Sequence, residues 1–157
     1  MPEITTCLWF DTEGEDAAEF YTSVFPNSRI TETVRYNEAG PRDAGTVMVV
    51  AFELDGTRFV ALNGGPQFTF SEAISFQIDC GSQEEVDEYS SRLTEGGEQG
   101  PCGWVKDRFG VSWQVVPRRL KELLAAGGES AVRVNQAMLQ MRKIDIAALE
   151  DAAKAPA

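Results

Sequence analysis

One order of predicted elements, a strand, a helix and then two or three strands, occurs twice along the sequence. Residues 5–11 ("TTCLWFD") are typical of a strand, and residues 14–26 carry apolar side chains at helical spacing. The order begins again with a strand at 73–79 and a helix opened by Ser82 and Glu85, which have the spacing of a capping box. Leu8, Phe10, Asp11 and Tyr21 precede Phe76, Ile78, Asp79 and Tyr89 by one common interval. These features predict a duplicated α+β module, with an unrelated α+β meander as the alternative.

Turn signals indicate the later strands of each module. The apolar run 46–54 is followed by Asp55-Gly56 and a second apolar run, a connection that is typical of a β-hairpin. Two further strands are expected on either side of a turn at 107–110. We expect Lys106 and Asp107, which flank this turn, to form a solvent-exposed pair.

Beyond Pro117 the pattern changes to three helices, at about 118–126, 129–141 and 145–154. The apolar residues of this tail that would need a surface to cover are Val132, Val134, Met138, Met141, Ile144, Ile146 and Leu149. Open sheet edges are also commonly paired or covered. We therefore predict a homodimer whose interface includes the tail, so that truncation after Pro117 exposes apolar surface.

The charge balance limits the classes of partner. The 25 acidic residues outnumber the 14 lysines and arginines and give a formal net charge of −11, which repels phosphate backbones and anionic membranes. We therefore expect neither a nucleic acid nor a membrane as a partner. The chain contains no histidine, so imidazole can serve neither as a metal ligand nor as an acid–base catalyst.

The cysteines and the first residues indicate a compartment. Cys7, Cys80 and Cys102 are odd in number and far apart, which is typical of free thiols in a reducing environment. No apolar run approaches the roughly 18 residues of a membrane span, and the acidic start lacks the basic flank of a signal peptide. We expect a cytoplasmic protein.

Longer motifs carry a resemblance to a known family. They are "AAEFYTSVFPNS", "FELDGTRFVALNGGP", "EAISFQIDC", "CGWVKDRFGVSWQVVP" and the tail segment "AMLQMRKIDIAALEDA". These segments resemble the PhnB-like subgroup of the vicinal oxygen chelate superfamily, whose domain carries the name 3-demethylubiquinone-9 3-methyltransferase. The superfamily includes glyoxalase I, extradiol dioxygenases and the bleomycin- and fosfomycin-resistance proteins.

The resemblance implies a fold and a domain organisation. It implies an α+β fold of duplicated βαβββ modules that form a half-barrel around a cavity, the glyoxalase/bleomycin resistance/dihydroxybiphenyl dioxygenase fold, with a C-terminal helical tail. The modules are expected at 4–64 and 73–117 within a single domain of residues 1–119, followed by a helical extension at 120–157. The subgroup also implies a homodimer.

The resemblance further identifies four places in the cavity. Metal-dependent members of the superfamily hold a divalent ion there with two histidines and two glutamates. In this sequence the corresponding places fall on Cys7, Val60, Ser75 and Gln114. One thiol, one hydrocarbon, one hydroxyl and one amide make a poor metal cage, so we expect neither a metal nor another cofactor. The glycine-rich turn that a doubly wound methyltransferase needs is also missing from the sequence.

The strand period adds further residues to the predicted lining, because alternate residues share a face. The resulting ligand-binding candidates are Cys7, Trp9, Val60, Ser75, Gln77, Ser112 and Gln114. Plain packing or an interface contact is the alternative role for Trp9 and Gln77. Phe59 and Trp113 have the opposite phase and are expected to pack in the core against the helices.

Two functions remain open. Apolar walls with a few placed amides and hydroxyls are typical of a small-molecule pocket, which favours a metal-independent binding protein for a small-molecule ligand. The alternative is an enzyme that acts on a small quinone- or catechol-like metabolite, with Gln114, Ser75 and Cys7 orienting the substrate.

Overall fold

Two βαβββ modules build the chain, as the sequence predicts. The computed structural model describes residues 1–154 and divides the chain into two units, residues 1–70 and the residues from 71 onward. The first unit contains β1 (Thr6–Phe10), α1 (Gly14–Val24), β2 (Arg29–Arg35), β3 (Val47–Leu54) and β4 (Thr57–Asn63). Its four strands form one mixed sheet in the order β1-β4-β3-β2.

Strands β1 and β4, the first and last of the unit in chain order, pair in parallel, and the other neighbouring strands are antiparallel. The β3–β4 connection is the predicted hairpin. Asp55 and Gly56 both have positive φ angles, of 47° and 85°, as a two-residue turn of type I′ requires. This turn therefore follows directly from the Asp-Gly dipeptide.

Helix α1 covers one face of the first sheet. Tyr21 from the helix is fully buried, and its ring stacks on Phe52, which in turn stacks on Phe59 with ring centroids 5.4 Å apart. Because strand residues alternate between faces, the neighbouring positions Cys7 and Val60 point away from the helix. The buried position of Phe59 confirms its predicted place in the core.

The second unit repeats the arrangement and adds the tail. It contains β5 (Ser75–Cys80), α2 (Gln83–Leu93), β6 (Glu98–Gln99), β7 (Trp104–Lys106), β8 (Ser112–Pro117), α3 (Arg118–Ala125), α4 (Gly128–Leu139) and α5 (Ile146–Lys154). The strand order is β5-β8-β7-β6, again with a parallel pair between the first and last strands. Helix α2 packs on β5, β7 and β8, and Trp113 is buried on that side, as the sequence predicts.

The start of α2 shows why the capping signal is reliable. The Ser82 hydroxyl accepts a hydrogen bond from the Glu85 backbone N–H at 3.2 Å. The Glu85 carboxylate reaches back and accepts from the Gly81 N–H at 2.8 Å, one residue earlier than in a standard capping box. The first bond satisfies an N–H group that a helix start leaves without a partner, and the second fixes the residue before the cap.

The correspondence between the two modules differs from the single interval that the sequence suggests. The buried positions of α1 include Tyr21 and Val24, and those of α2 include Ser90 and Leu93, so Ser90 takes the place of Tyr21. In the sheets, Cys7 lies opposite Val60, whereas Gln114 lies opposite Gln77 rather than Ser75. By pairing register the counterpart of Cys7 is therefore Gln77, because the loops that join strand and helix differ in length.

The expected solvent-exposed pair of Lys106 and Asp107 is wrong. Lys106 forms its ion pair with Glu72, and Asp107 is only 3% exposed. The Asp107 carboxylate accepts hydrogen bonds from the backbone N–H groups of Phe109 and Val111, at 2.9 and 3.1 Å, and from the Trp113 indole at 2.8 Å. A single carboxylate thus closes the turn and fixes the strand after it.

The tail packs on its own chain at several points. Val134, Ile144 and Leu149 are fully buried within the second unit. The Gln83 side chain clamps the segment before α5, since its amide donates to the Ile144 carbonyl at 3.0 Å and accepts from the Ile146 N–H at 2.8 Å. Across residues 1–154, none of the helices combines the length and the apolar character needed to cross a membrane.

The Asp107 network yields a stability prediction. Replacing Asp107 with Asn keeps the shape but puts an N–H₂ group where the carboxylate accepts hydrogen bonds. We expect the free energy of unfolding to fall by about 1–3 kcal/mol, measured by urea denaturation. Asp43→Asn, in an exposed loop, is the matched control and should leave the urea midpoint unchanged. An Asp107→Asn protein as stable as the parent would show that the carboxylate does not hold the turn.

Candidate functional site

The predicted ligand-binding residues form two groups, one in each unit, and both groups lie on the face of a sheet that carries no helix. In the first unit, Cys7 and Val60 are direct neighbours across the parallel pair, and Trp9 lies opposite Leu62. Cys7 is exposed and the other three are partly buried. These four residues form an apolar and aromatic part of this face, with the Cys7 thiol and the Trp9 indole N–H as its polar groups.

Trp9 is fixed by the loop that follows β4. Its indole N–H donates to the Gly65 carbonyl at 2.9 Å, and the Phe68 ring meets it edge-to-face with centroids 4.9 Å apart. Gly64 passes so close to the indole that an added Cβ would lie 2.4 Å from a ring carbon, so only glycine fits there. Phe68 remains 63% exposed, so the pair presents an aromatic surface to solvent.

The second group is polar and hydrogen-bonded. Ser75 and Gln77 on β5 lie opposite Ser112 and Gln114 on β8. The Gln114 amide N–H donates to the Ser75 hydroxyl at 2.8 Å, and the Gln77 amide lies 3.5 Å from the Gln114 carbonyl oxygen, at the outer limit of a hydrogen bond. We call these four residues the polar ladder.

Gln114 is the central residue of the polar ladder and keeps hydrogen-bonding capacity in reserve. A glutamine amide offers two N–H donors and an oxygen with two lone pairs. The Ser75 bond uses one N–H, and the contact with Gln77 is long and weak. One N–H and much of the oxygen therefore remain for a ligand or water, on a side chain that is only partly exposed.

These residues do not fit the divalent metal that the superfamily resemblance implies. The Gln114 N–H points at Ser75, and transition metals that bind tightly in proteins are held mainly by imidazole, thiolate or carboxylate ligands. If Gln77, which lies opposite Gln114, takes the place that the resemblance gives to Ser75, the four candidate places gain a second amide and no stronger ligand. Within residues 1–154, no three histidine, cysteine, aspartate or glutamate side chains are grouped to hold a metal ion.

Burial shifts the pKa values of Cys7 and Cys80 away from activation. Partial burial raises the pKa of the Cys7 thiol, which lowers its thiolate fraction at neutral pH. Burial, reinforced by Glu85 and Asp79, raises the pKa of Cys80 to about 12. Nucleophilic catalysis needs the opposite shift or an adjacent base, and the chain has no histidine to act as one.

The sequence reasoning missed a cleft beside the polar ladder. This cleft, of about 380 Å³, is lined by Glu72, Glu98, Gly100, Pro101, Trp104, Lys106 and Ser112, together with Val105. Trp104 lies opposite Gln114, and Lys106 opposite Ser112, so both share the face of the polar ladder. The alternation that identified Ser112 would also have identified Trp104 and Lys106 if it had been continued across the turn.

Comparison with known proteins identifies the family. Residues 2–116 match the family described as 3-demethylubiquinone-9 3-methyltransferase. The chain belongs to this family. Its βαβββ modules and C-terminal helices are glyoxalase-like, as the resemblance implies.

Solved structures show the same fold. A PhnB protein from Bacillus cereus, provisionally named a 3-demethylubiquinone-9 3-methyltransferase, is 36% identical, with 74% of this chain and 99% of that chain covered and a TM-score of 0.65. Protein PA1353 from Pseudomonas aeruginosa is 20% identical over 74% of this chain and 98% of that chain, with a TM-score of 0.59. The fosfomycin resistance protein FosX from Listeria monocytogenes is 19% identical over 77% and 94%, with a TM-score of 0.53. A search of curated proteins found no match.

Proposed function

We propose that this family member is a small-molecule-binding protein that works without a metal. The hydrogen-bonded polar ladder is the observation that carries the proposal. It places two hydroxyls and two amides on the helix-free face of the second sheet, where the neighbouring cleft offers apolar surface. Apolar surface with a few fixed polar groups is the usual composition of a small-molecule site.

The internal bonds of the polar ladder favour binding. Ser75 holds one end of the Gln114 amide, so less side-chain entropy is lost when a ligand pairs with the other end. Within the second unit, Trp104 in the wall of the neighbouring cleft favours a ligand with an aromatic part.

The donor chemistry supports metal independence and disfavours covalent catalysis. The places that hold metal ligands in metal-dependent relatives carry a thiol with a raised pKa, a hydrocarbon and neutral polar groups. The same raised pKa leaves Cys7 a weak nucleophile. Recognition by shape and hydrogen bonds is what the remaining groups can supply.

We also propose that the chain forms a homodimer through α4. The tail residues Val134, Ile144 and Leu149 are buried in their own chain and cannot serve an interface, but Val132 and Leu139 are each 56% exposed. Their spacing places them on one side of the helix, two turns apart. A second copy of the same helix is an occupant of matching shape for such a two-fold contact.

Gln114→Leu tests the binding function. Catechol and a small naphthoquinone serve as probes in isothermal titration, because both combine an aromatic body with groups that an amide can pair. We expect Gln114→Leu to weaken the affinity by about 1–3 kcal/mol with the circular dichroism spectrum unchanged. Gln140→Leu, at the exposed end of α4, is the matched control. If Gln114→Leu binds both probes as tightly as the parent protein does, or if the variant loses its fold, Gln114 is a structural residue.

Elemental analysis tests metal independence. After dialysis we expect no stoichiometric zinc, nickel, manganese or iron, because a site with a single thiol holds such ions weakly. About one metal per chain, lost in Gln114→Ala, would overturn this part of the proposal.

A double variant, Val132→Glu with Leu139→Glu, tests the dimer. Light scattering should show a dimer for the parent protein and a monomer for the variant, with the same unfolding midpoint, because two buried carboxylates without partners oppose association. Ser91→Glu, an exposed position on α2, is the control for added charge. A parent protein that is monomeric at micromolar concentration, or a variant that remains dimeric, excludes this interface.

A further inference from the structure

The cleft beside the polar ladder has its own chemistry. It lies entirely within the second unit, and much of its wall is apolar. Trp104 from β7 is partly buried and contributes an aromatic side chain at this wall. An aromatic face in a partly dry cleft attracts either another ring or an organic cation.

Charge distinguishes between these two kinds of ligand. Lys106 is the cation among the lining residues and is bound in an ion pair by Glu72, whose hydrogen bond raises the pKa of Lys106. Glu98 lies opposite Lys106 across the β6–β7 pair and also lines the cleft. Two carboxylates against one ammonium leave one negative charge in the cleft. An anionic ligand would have to displace Glu72 from Lys106 before it gained any attraction.

Ser112 supplies a polar group directed at this space. The residue is 2% exposed and lines the cleft. A hydroxyl at the wall of a cleft can accept a hydrogen bond from a ligand. Because Ser112 lies opposite Lys106 in register, its hydroxyl is close to the charged part of the wall.

We propose that the cleft formed by Trp104, Ser112, Glu98 and the Lys106–Glu72 pair binds the ammonium group of a small organic cation with an apolar or aromatic body. The inference rests on the proposed binding function and names the ligand class. The Trp104 ring contacts the cation, and Glu98 neutralises the charge of the cation. The Ser112 hydroxyl oxygen accepts a hydrogen bond from one N–H of the ammonium group. The formal charge of −11 adds a long-range attraction for cations.

The experiment compares three probes of the same size and different charge. Benzylammonium, benzyl alcohol and benzoate are titrated into the full chain while the backbone and indole N–H chemical shifts are recorded. The chain has three tryptophans, and the indole signal of Trp113, which is buried and bonded to Asp107, serves as an internal reference for that of Trp104. We expect benzylammonium to bind most tightly, benzoate most weakly, and the shifts to centre on Trp104 and Ser112.

Charge variants should change the affinity in opposite directions, which a merely apolar cleft would not show. Glu98→Gln should weaken benzylammonium binding about two- to fivefold, as for an exposed ion pair, and Lys106→Gln should strengthen it by a similar factor. Glu129→Gln on α4 carries the same charge change outside the cleft and should have no effect. Ser112→Ala should weaken benzylammonium but not benzyltrimethylammonium, which has no N–H to donate.

The outcomes separate the ligand class from the binding function. Tighter binding of benzyl alcohol or benzoate, or Glu98 and Lys106 variants that change the affinity in the same direction, would overturn the cation proposal and leave the binding function intact. If none of the three probes shifts Trp104, Ser112 or Gln114, and catechol and naphthoquinone also fail to bind, both proposals are wrong.

Discussion

Parallel pairing between the first and last strands of each unit is the constraint on which the rest of the structure depends. Parallel neighbours cannot be joined by a short turn, so each first strand must be followed by a crossover that includes a helix. That helix packs on one face of its sheet and buries Phe59 in one unit and Trp113 in the other. The opposite face of each sheet is then left for ligand-binding side chains. The candidate ligand-binding residues lie on these faces because of this topology.

The two helix-free faces have become chemically different although their strands pair alike. The place of Cys7 and Val60 in the first sheet corresponds by register to Gln77 and Gln114 in the second. At these corresponding places the first sheet offers a thiol and a hydrocarbon, whereas the second offers two amides.

Local sequence signals were enough to predict much of the fold, but they did not predict contacts that depend on tertiary packing. The Asp55-Gly56 hairpin and the Ser82 cap depend on residues next to each other in the chain, and both are confirmed. Asp107 was misjudged because a turn beside a charged residue was assumed to be exposed. Its partners follow within a few residues, but whether the turn is buried depends on packing that a sequence pattern does not show.

Register limited the prediction of the candidate site in a similar way. The period of two identified the correct faces, since face membership survives any even shift. It could not decide whether Ser75 or Gln77 lies opposite Gln114, because that depends on loop lengths and on the pairing itself. The Lys106–Glu72 ion pair was missed because Glu72 lies outside the strands, where the strand period gives no information about neighbours.

Hydrogen bonding within the polar ladder lowers the cost of holding neutral polar side chains on this face of the second sheet. A buried amide without partners costs about 1–3 kcal/mol, and the Ser75 bond removes part of that cost before any ligand arrives. Ser112 lies across the strand pair from Lys106, whose single positive charge faces both Glu72 and Glu98. The polar ladder therefore combines an amide that Ser75 already orients with a hydroxyl at the wall of a cleft of net negative charge, and a ligand on this face would meet both features.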